Sequence, residues 1–349
     1  MSGAAAAARE RDEAFALIGA AREPGDLFGS GAETGSGGTA DAGADAGAAR
    51  RYRRLARLVH PDANPSDARA AAAFARLTDL WQRRQGRRPA TGSGYGVLMA
   101  RGDIANLYAT ADGLLKIARD PADNDLMRRE AAALRQLAGV EDRFRAYFPR
   151  LTRAERHTDP GTGRARRANV LARLDGFRTL AEAGVAFPGG VDPRDAAWMW
   201  RRLLVAAGAS ARAGVIHGAV LPGHVLIHPG QHGLVLIDWC YSVRVPGPLG
   251  TAPCGRLRAV PGRYRSWYPP EVLAGRPAGP DLDIWLATQC MTELTGPRLP
   301  GPLAAFARGC QLTSPSYRPA DAWALLAELD DLLGRLYGPR RFRPFAMPA

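Results

Sequence analysis

One lysine, Lys116, stands among 46 arginines in a chain of 349 residues. An ammonium is a compact point charge and a guanidinium a planar fork, so neither replaces the other where charge must be placed at a point. Lys116 lies in the apolar run Gly113-Leu114-Leu115-Lys116-Ile117-Ala118, which reads as a strand. Glu130 follows within residues 125–137, where Leu126, Ala133, Leu134 and Leu137 share one helical face. A further acid, Asp238, ends the apolar run Gly233-Leu234-Val235-Leu236-Ile237. Between them, Val215-Ile216-His217-Gly218-Ala219 leads to His224, so two imidazoles flank an alanine. His224 could be a base, a metal ligand or a polar loop residue. A separate triplet, His60-Pro61-Asp62, follows a run dense in arginine.

The elements that must position these groups can be read from the surrounding pattern. Hydrophobic residues make up 46% and charged residues 23%, so the chain can bury a core, and its length suits about two domains. The net charge is +13, but the arginines are spread through nearly every segment, which makes nucleic acid an unlikely partner. No apolar run is long enough to span a membrane. The start Met1-Ser2-Gly3-Ala4 has no secretion-signal pattern, and a cytoplasmic location is expected. Cys240, Cys254, Cys290 and Cys310 form no close pair, which argues against a zinc cluster or a disulfide framework. Residues 27–48 are Gly, Ala, Ser, Thr and Asp with few large side chains and are expected to be a flexible insert. Residues 85–94 read as a linker.

In residues 49–59, Tyr52, Leu55, Ala56 and Val59 recur at helical spacing. Arg50, Arg51, Arg53, Arg54 and Arg57 fill the opposite face. Pro61 stops this helix at His60. A second helix over residues 67–84 places Phe74, Leu77 and Trp81 on one face, and a shorter one is expected over residues 13–18. This hairpin with His-Pro-Asp at its tip resembles the J domain of DnaJ-type co-chaperones. The resemblance implies that His60, Pro61 and Asp62 dock on a DnaK-type chaperone, with Arg53, Arg54 and Arg57 facing its acidic surface. The loop into the basic helix is longer than usual for that family, and the glycine/phenylalanine and cysteine-rich zinc regions are absent.

The chain beyond residue 95 resembles the kinase fold. Strand Lys116 and helix Glu130 match the pair that positions nucleotide phosphates there. His217-Gly218-Ala219 matches the catalytic loop, similar to the aminoglycoside phosphotransferase type. Asp238 matches the metal-binding acid of Asp-Phe-Gly, and Gly102 is what remains of the glycine-rich loop. Tyr268-Pro269-Pro270-Glu271 resembles the Ala-Pro-Glu motif, Asp283-Ile284-Trp285 the start of the central C-lobe helix, and Arg318-Pro319 a late C-lobe landmark. The expected class is thus α+β: a two-lobed protein-kinase-like fold over residues 95–338, with lobes of about 95–172 and 173–338, preceded by a small all-α J-like hairpin over residues 10–84. The resemblance also implies a buried ion pair between Glu271 and Arg318.

Ala219 and His224 depart from the family, whose loop carries an aspartate base at the first position and an asparagine metal ligand at the second. Alanine cannot accept a proton, and imidazole suits Mg²⁺ less well than an amide oxygen. The resemblance therefore implies a pseudokinase that binds ATP through Gly102, Lys116, Glu130 and Asp238. Mg²⁺ would sit on Asp238, with His224 as a further candidate ligand. The alternative is an active phosphotransferase, or another ATP-dependent transferase, with a non-standard base such as His224.

Overall fold

Helical periodicity governs the beginning of the chain and strand periodicity takes over near residue 97. The computed structural model describes residues 2–29, 40–59, 64, 67, 69–84, 95–111, 113–158, 163–245 and 255–348. The chain divides into two units, residues 1–98 and 99–349.

The first unit contains α1 (Ser2–Ala20), α2 (Pro24–Phe28), α3 (Ala40–Val59) and α4 (Ala70–Arg84). They enclose a core that includes Ile18, Leu27, Leu55, Val59, Leu77 and Leu80. Trp81 of α4 stacks on Tyr52 of α3 at 4.9 Å and meets Phe28 of α2 edge-on at 5.2 Å, so one indole joins three helices. Leu55 and Val59 are buried while Arg50, Arg51, Arg53, Arg54 and Arg57 are exposed, the partition the sequence periodicity predicts. Arg54 pairs with Glu10 at 2.5 Å. Both side chains are in solvent, where such a pair is worth about 1 kcal/mol at most.

Three boundaries differ from expectation. Helix α3 begins at Ala40 rather than Ala49, because its early residues are rich in alanine, the best helix former. Leu27 and Phe28, assigned above to the flexible insert, lie in a short helix and are buried. Helix α1 spans Ser2–Ala20 rather than residues 13–18 alone. His60, Pro61, Asp62 and the linker 85–94 lie outside the described residues.

Next come β1 (Val97–Arg101), β2 (Ala105–Thr110), β3 (Gly113–Ala118), α5 (Asn124–Leu137), α6 (Asp142–Arg145), β4 (Leu151–Thr158) and β5 (Ala165–Leu171). The strands form one sheet in the order β1-β2-β3-β5-β4. The central strand β3 runs antiparallel to β5, with Lys116 opposite Asn169. Gly113 opens β3 at φ 142°, where a Cβ would lie 2.3 Å from the Leu171 carbonyl oxygen, so only glycine permits this approach.

The remainder is mostly helical: β6 (Arg178–Thr179), α7 (Leu180–Ala186), α8 (Pro193–Arg212), β7 (Val215–Ile216), β8 (Val225–His228), β9 (Gly233–Leu236), β10 (Val243–Arg244), α9 (Pro270–Leu273), α10 (Pro280–Thr295), α11 (Gly301–Cys310) and α12 (Ala322–Tyr337). Asp192 caps α8 by accepting from the Arg194 backbone N–H, and Pro193 fills its first turn. Trp200, Leu203 and Leu204 of α8 are buried in the core it shares with α10 and α12. Strand β7 pairs with β10, and β6, β8 and β9 form a separate small sheet. The class is α+β, as the sequence leads one to expect. No helix among the described residues is long and apolar enough to cross a membrane.

Glu271 and Arg318 form the expected ion pair. Arg318 Nη1 donates to Glu271 Oε1 at 2.5 Å and to Asp281 Oδ2 at 3.4 Å. Its Nε and Nη2 donate to the carbonyls of Leu312 and Thr313, at 2.6 Å and 3.0 Å. The guanidinium lies 4.5 Å from the Trp285 ring centre, and the side chain is 0% exposed. Removing the guanidinium leaves two carboxylates facing each other with their counter-charge gone. Arg318→Ala is therefore expected to lower unfolding stability by about 3–5 kcal/mol, measured by denaturant titration, and a loss below about 1 kcal/mol would refute this role.

Candidate functional site

Strand β3 delivers Lys116 to a point where three acceptors converge. Its Nζ donates to Glu130 Oε1 at 2.8 Å, to Asp238 Oδ1 at 2.9 Å and to Cys240 Sγ at 3.2 Å. An ammonium has three hydrogens, so all its donors are used. Glu130, on the buried face of α5, is 1% exposed. Its other oxygen accepts from Asn169 Nδ2 at 2.8 Å, and the same amide donates to the Met127 carbonyl at 3.0 Å. Asn169 thus ties β5 to α5 beside the lysine with which it pairs across strands. Asn169 and Cys240 were missed in the sequence. Nothing in an isolated asparagine betrays its strand register, although Cys240 stands only two residues beyond Asp238.

Burial and charge compete throughout this cluster. Burial would push the Lys116 ammonium down, but Asp238, with Cys240 and Glu130, outweighs it and raises the group well above its ordinary value. Burial likewise opposes ionisation of Asp238, and Lys116 and His224 outweigh it, holding the carboxyl well below the usual range. Burial, reinforced by Glu130, pushes the Cys240 thiol well up, so the sulfur stays protonated. One ammonium against two carboxylates leaves one negative charge in excess. Asp238 itself adopts a left-handed backbone, φ 66° and ψ 61°, which costs a non-glycine residue about 1 kcal/mol or more.

The ligand atoms of Glu130, Asp238 and Cys240 lie within 4.8 Å of one another. The ammonium bonded to all three fills their centre, so this trio does not offer a cation site without moving Lys116. A better place lies on the far side of Asp238, whose Oδ2 faces His224 Nε2 at 3.6 Å. That gap exceeds a hydrogen bond and also the roughly 3 Å between neighbouring ligands of an octahedral Mg²⁺, so an ion held by both groups would draw them together. His224 Nδ1 lies 2.8 Å from the Ala219 carbonyl oxygen. That nitrogen must carry a hydrogen, which leaves Nε2 with a lone pair in the neutral ring.

The loop beneath is rigidly held. His217 is fully buried, and its Nε2 lies 2.9 Å from the Ile237 carbonyl while Nδ1 accepts from the Ala219 N–H at 3.1 Å. The backbone N–H groups of His217 and Gly218 donate to the two oxygens of Asp283, at 2.7 Å and 2.8 Å. The Tyr268 hydroxyl donates to the Gly218 carbonyl at 3.0 Å. Gly218 has φ 74°, and a Cβ there would lie 2.5 Å from Leu257 Cδ2 and 2.9 Å from the Tyr241 carbonyl oxygen. Trp239, fully buried, packs edge-on against His217 at 4.5 Å and Phe148 at 5.5 Å. His217 thus packs and hydrogen-bonds at the base of the loop. Ala219 is 0% exposed and offers only a methyl group.

Lys116, Glu130, Asp238 and His224 are thus brought together above His217 and Ala219. Gly102 is not part of this group: it sits in the β1–β2 turn, with its N–H donating to Ala105 and its carbonyl accepting from Arg119. No family model matches the chain, and no curated protein matches it in sequence.

His217 and Asp283 respond to acid in opposite senses. Burial, aided by the nearby His224, lowers His217 to about 3 from its ordinary 6.5. The unfolded chain therefore binds a proton the folded chain refuses, and stability is lost as pH falls from 6.5 toward 3. Burial raises Asp283 to about 7 from 3.8, against the pull of the His217 and Gly218 N–H groups. The folded chain keeps a proton the unfolded chain releases, so stability is lost as pH rises through that window. Asp283→Asn should remove the second slope and expose the first, adding a loss of about 2 kcal/mol between pH 6.5 and pH 5 relative to the unaltered chain. Parallel stability profiles for the two proteins would contradict this.

Proposed function

We propose that residues 95–338 form a nucleotide-binding domain of the protein-kinase type with an impaired catalytic loop, joined to a J-like module that serves a DnaK-type chaperone. The observation that carries the first part is the Lys116 ammonium bonded at once to Glu130 and to Asp238, groups from three separate parts of the chain. Such a set can trade one carboxylate contact for a phosphate oxygen while the other keeps the ammonium in place. ATP would meet Lys116 through its phosphates. Mg²⁺, which takes oxygen ligands and keeps several waters, would bind Asp238 from the His224 side and shield the triphosphate charge. Two carboxylates set around one ammonium support this reading.

Transfer of the terminal phosphate needs a group that orients the acceptor hydroxyl, and the Ala219 methyl supplies none. A second reading, an active phosphotransferase, is favoured by the lone pair of His224 Nε2 beside Asp238, which could accept a proton. Thermal-shift titration with ATP and Mg²⁺ is expected to raise the melting temperature, because a ligand bound only by the folded state stabilises it. Lys116→Ala and Asp238→Ala should each weaken that response, and no transfer from γ-labelled ATP should be detectable. Labelling abolished by His224→Ala would instead establish the enzyme reading, and no shift at any ATP concentration would reject nucleotide binding.

The J-like part rests on the helical hairpin of α3 and α4, with its exposed Arg53, Arg54 and Arg57 and its apolar Phe74, Leu77 and Trp81. The chain is expected to raise the ATPase rate of a DnaK-type partner, and His60→Gln to abolish the effect in a steady-state assay. Equal stimulation by both proteins would reject this role for the triplet.

A further inference from the structure

The second unit carries a cleft of about 980 Å³ walled by α8, α12, the turn after β8 and the segment that follows α12. Six of its 17 lining residues are arginine, namely Arg194, Arg201, Arg202, Arg340, Arg341 and Arg343, against one acid, Asp330. Arginine accounts for 46 of the 349 residues, so composition alone would put about two there. Asp330 is already engaged by Arg201 Nε at 2.5 Å. Arg343 reaches Asp195 at 3.4 Å and Asp192 at 3.8 Å. Arg202 donates to the Tyr147 hydroxyl at 2.6 Å, and Arg194 lies over the Tyr337 ring at 5.3 Å. Among the described residues Arg340 and Arg341 have no ion-pair partner. Burial, with Arg201 and Arg202 adding to it and Asp330 opposing, lowers the pKa of Arg340.

One side of the cleft is aromatic. Trp198 and His232 stack at 4.2 Å with their planes 5° apart, and Phe342 lies 4.4 Å from the same imidazole while 65% exposed. The segment bearing Arg340–Arg343 is anchored by Phe345, which is buried against Phe187 and Trp198. The backbone that carries Arg340–Arg343 is therefore anchored before any ligand arrives, which lowers part of the ordering cost of binding.

We propose that this cleft binds a small polyphosphorylated ligand, its oxyanions on Arg340 and Arg341 and its chain running along Arg201 and Arg202. Guanidinium forks match phosphate oxygens two at a time. The volume lies in the range of small-molecule sites, about 300–1,000 Å³, rather than that of an extended groove. The phosphates could belong to an inorganic chain or to a nucleotide, whose base would find a stacking face on Phe342. The site is separate from the Lys116 cluster and does not depend on the function proposed for it.

Isothermal titration of the full chain with inorganic triphosphate at low salt tests this. Binding is expected in the unaltered protein, but at least tenfold weaker when Arg340→Ser and Arg341→Ser are combined; both residues are exposed, so folding should be kept. The part of ATP binding that the double arginine variant loses identifies the source. Tighter binding than triphosphate, lost in Phe342→Ala, supports a nucleotide, and equal binding supports an inorganic chain. No binding of triphosphate, or equal affinity in the double arginine variant, would overturn the proposal. A single-stranded oligonucleotide that binds a hundredfold tighter than triphosphate would overturn it in favour of nucleic acid.

Discussion

The second unit is organised around an ammonium that has left water. Lys116 can be buried only because Glu130 and Asp238 meet it, and each carboxylate can be buried only because Lys116 is there. A buried ion pair of this kind adds little net stability against an apolar replacement, since desolvation consumes most of the attraction. What it does provide is location. Strand β3, helix α5 and the turn after β9 must arrive at one point, because every other relative placement leaves a charge without its partner. Asn169 extends the constraint to β5 by fixing the second oxygen of Glu130. An arginine could not replace this lysine, because a planar fork with five donors would overrun three acceptors arranged around a point.

A second polar junction holds the loop below. Asp283, at the start of α10, receives two backbone N–H groups from a segment 65 and 66 residues earlier in the chain. The carboxylate thereby fixes where His217 and Gly218 lie, and the Tyr268 hydroxyl fixes the Gly218 carbonyl from the opposite side. The loop is rigid although it lacks an acid at position 219. The hydrogen-bonded support of this loop is thus independent of the side chain at position 219, where only a methyl group stands.

Part of this was legible in the sequence. Lys116, Glu130 and Asp238 announced themselves because each sits in a simple context, a strand, an amphipathic helix and the end of an apolar run. The Glu271–Arg318 pair was legible through the order of landmarks around it. Asn169, by contrast, became meaningful only through strand register, which is fixed by pairing rather than by any local signal. The start of α3 was hidden because low hydrophobicity pointed to a loop while alanine's helix propensity pointed the other way. The arginine cleft was invisible for a different reason. Its residues come from 194–202 and 340–343, and arginines spread over the whole chain gave these no contrast until the fold gathered them.

The single lysine also gives the second unit a built-in chemical reporter. Apart from any free α-amino group at the terminus, the chain has one primary amine, and all three of its hydrogens are committed to Glu130, Asp238 and Cys240. Acylating reagents attack the neutral amine, and this one is held protonated and only 11% exposed. Acylation of the side chain thus requires the cluster to open first. Mass-spectrometric counting of a single acyl group would follow the opening of that cluster in an otherwise unlabelled protein, with no engineered probe.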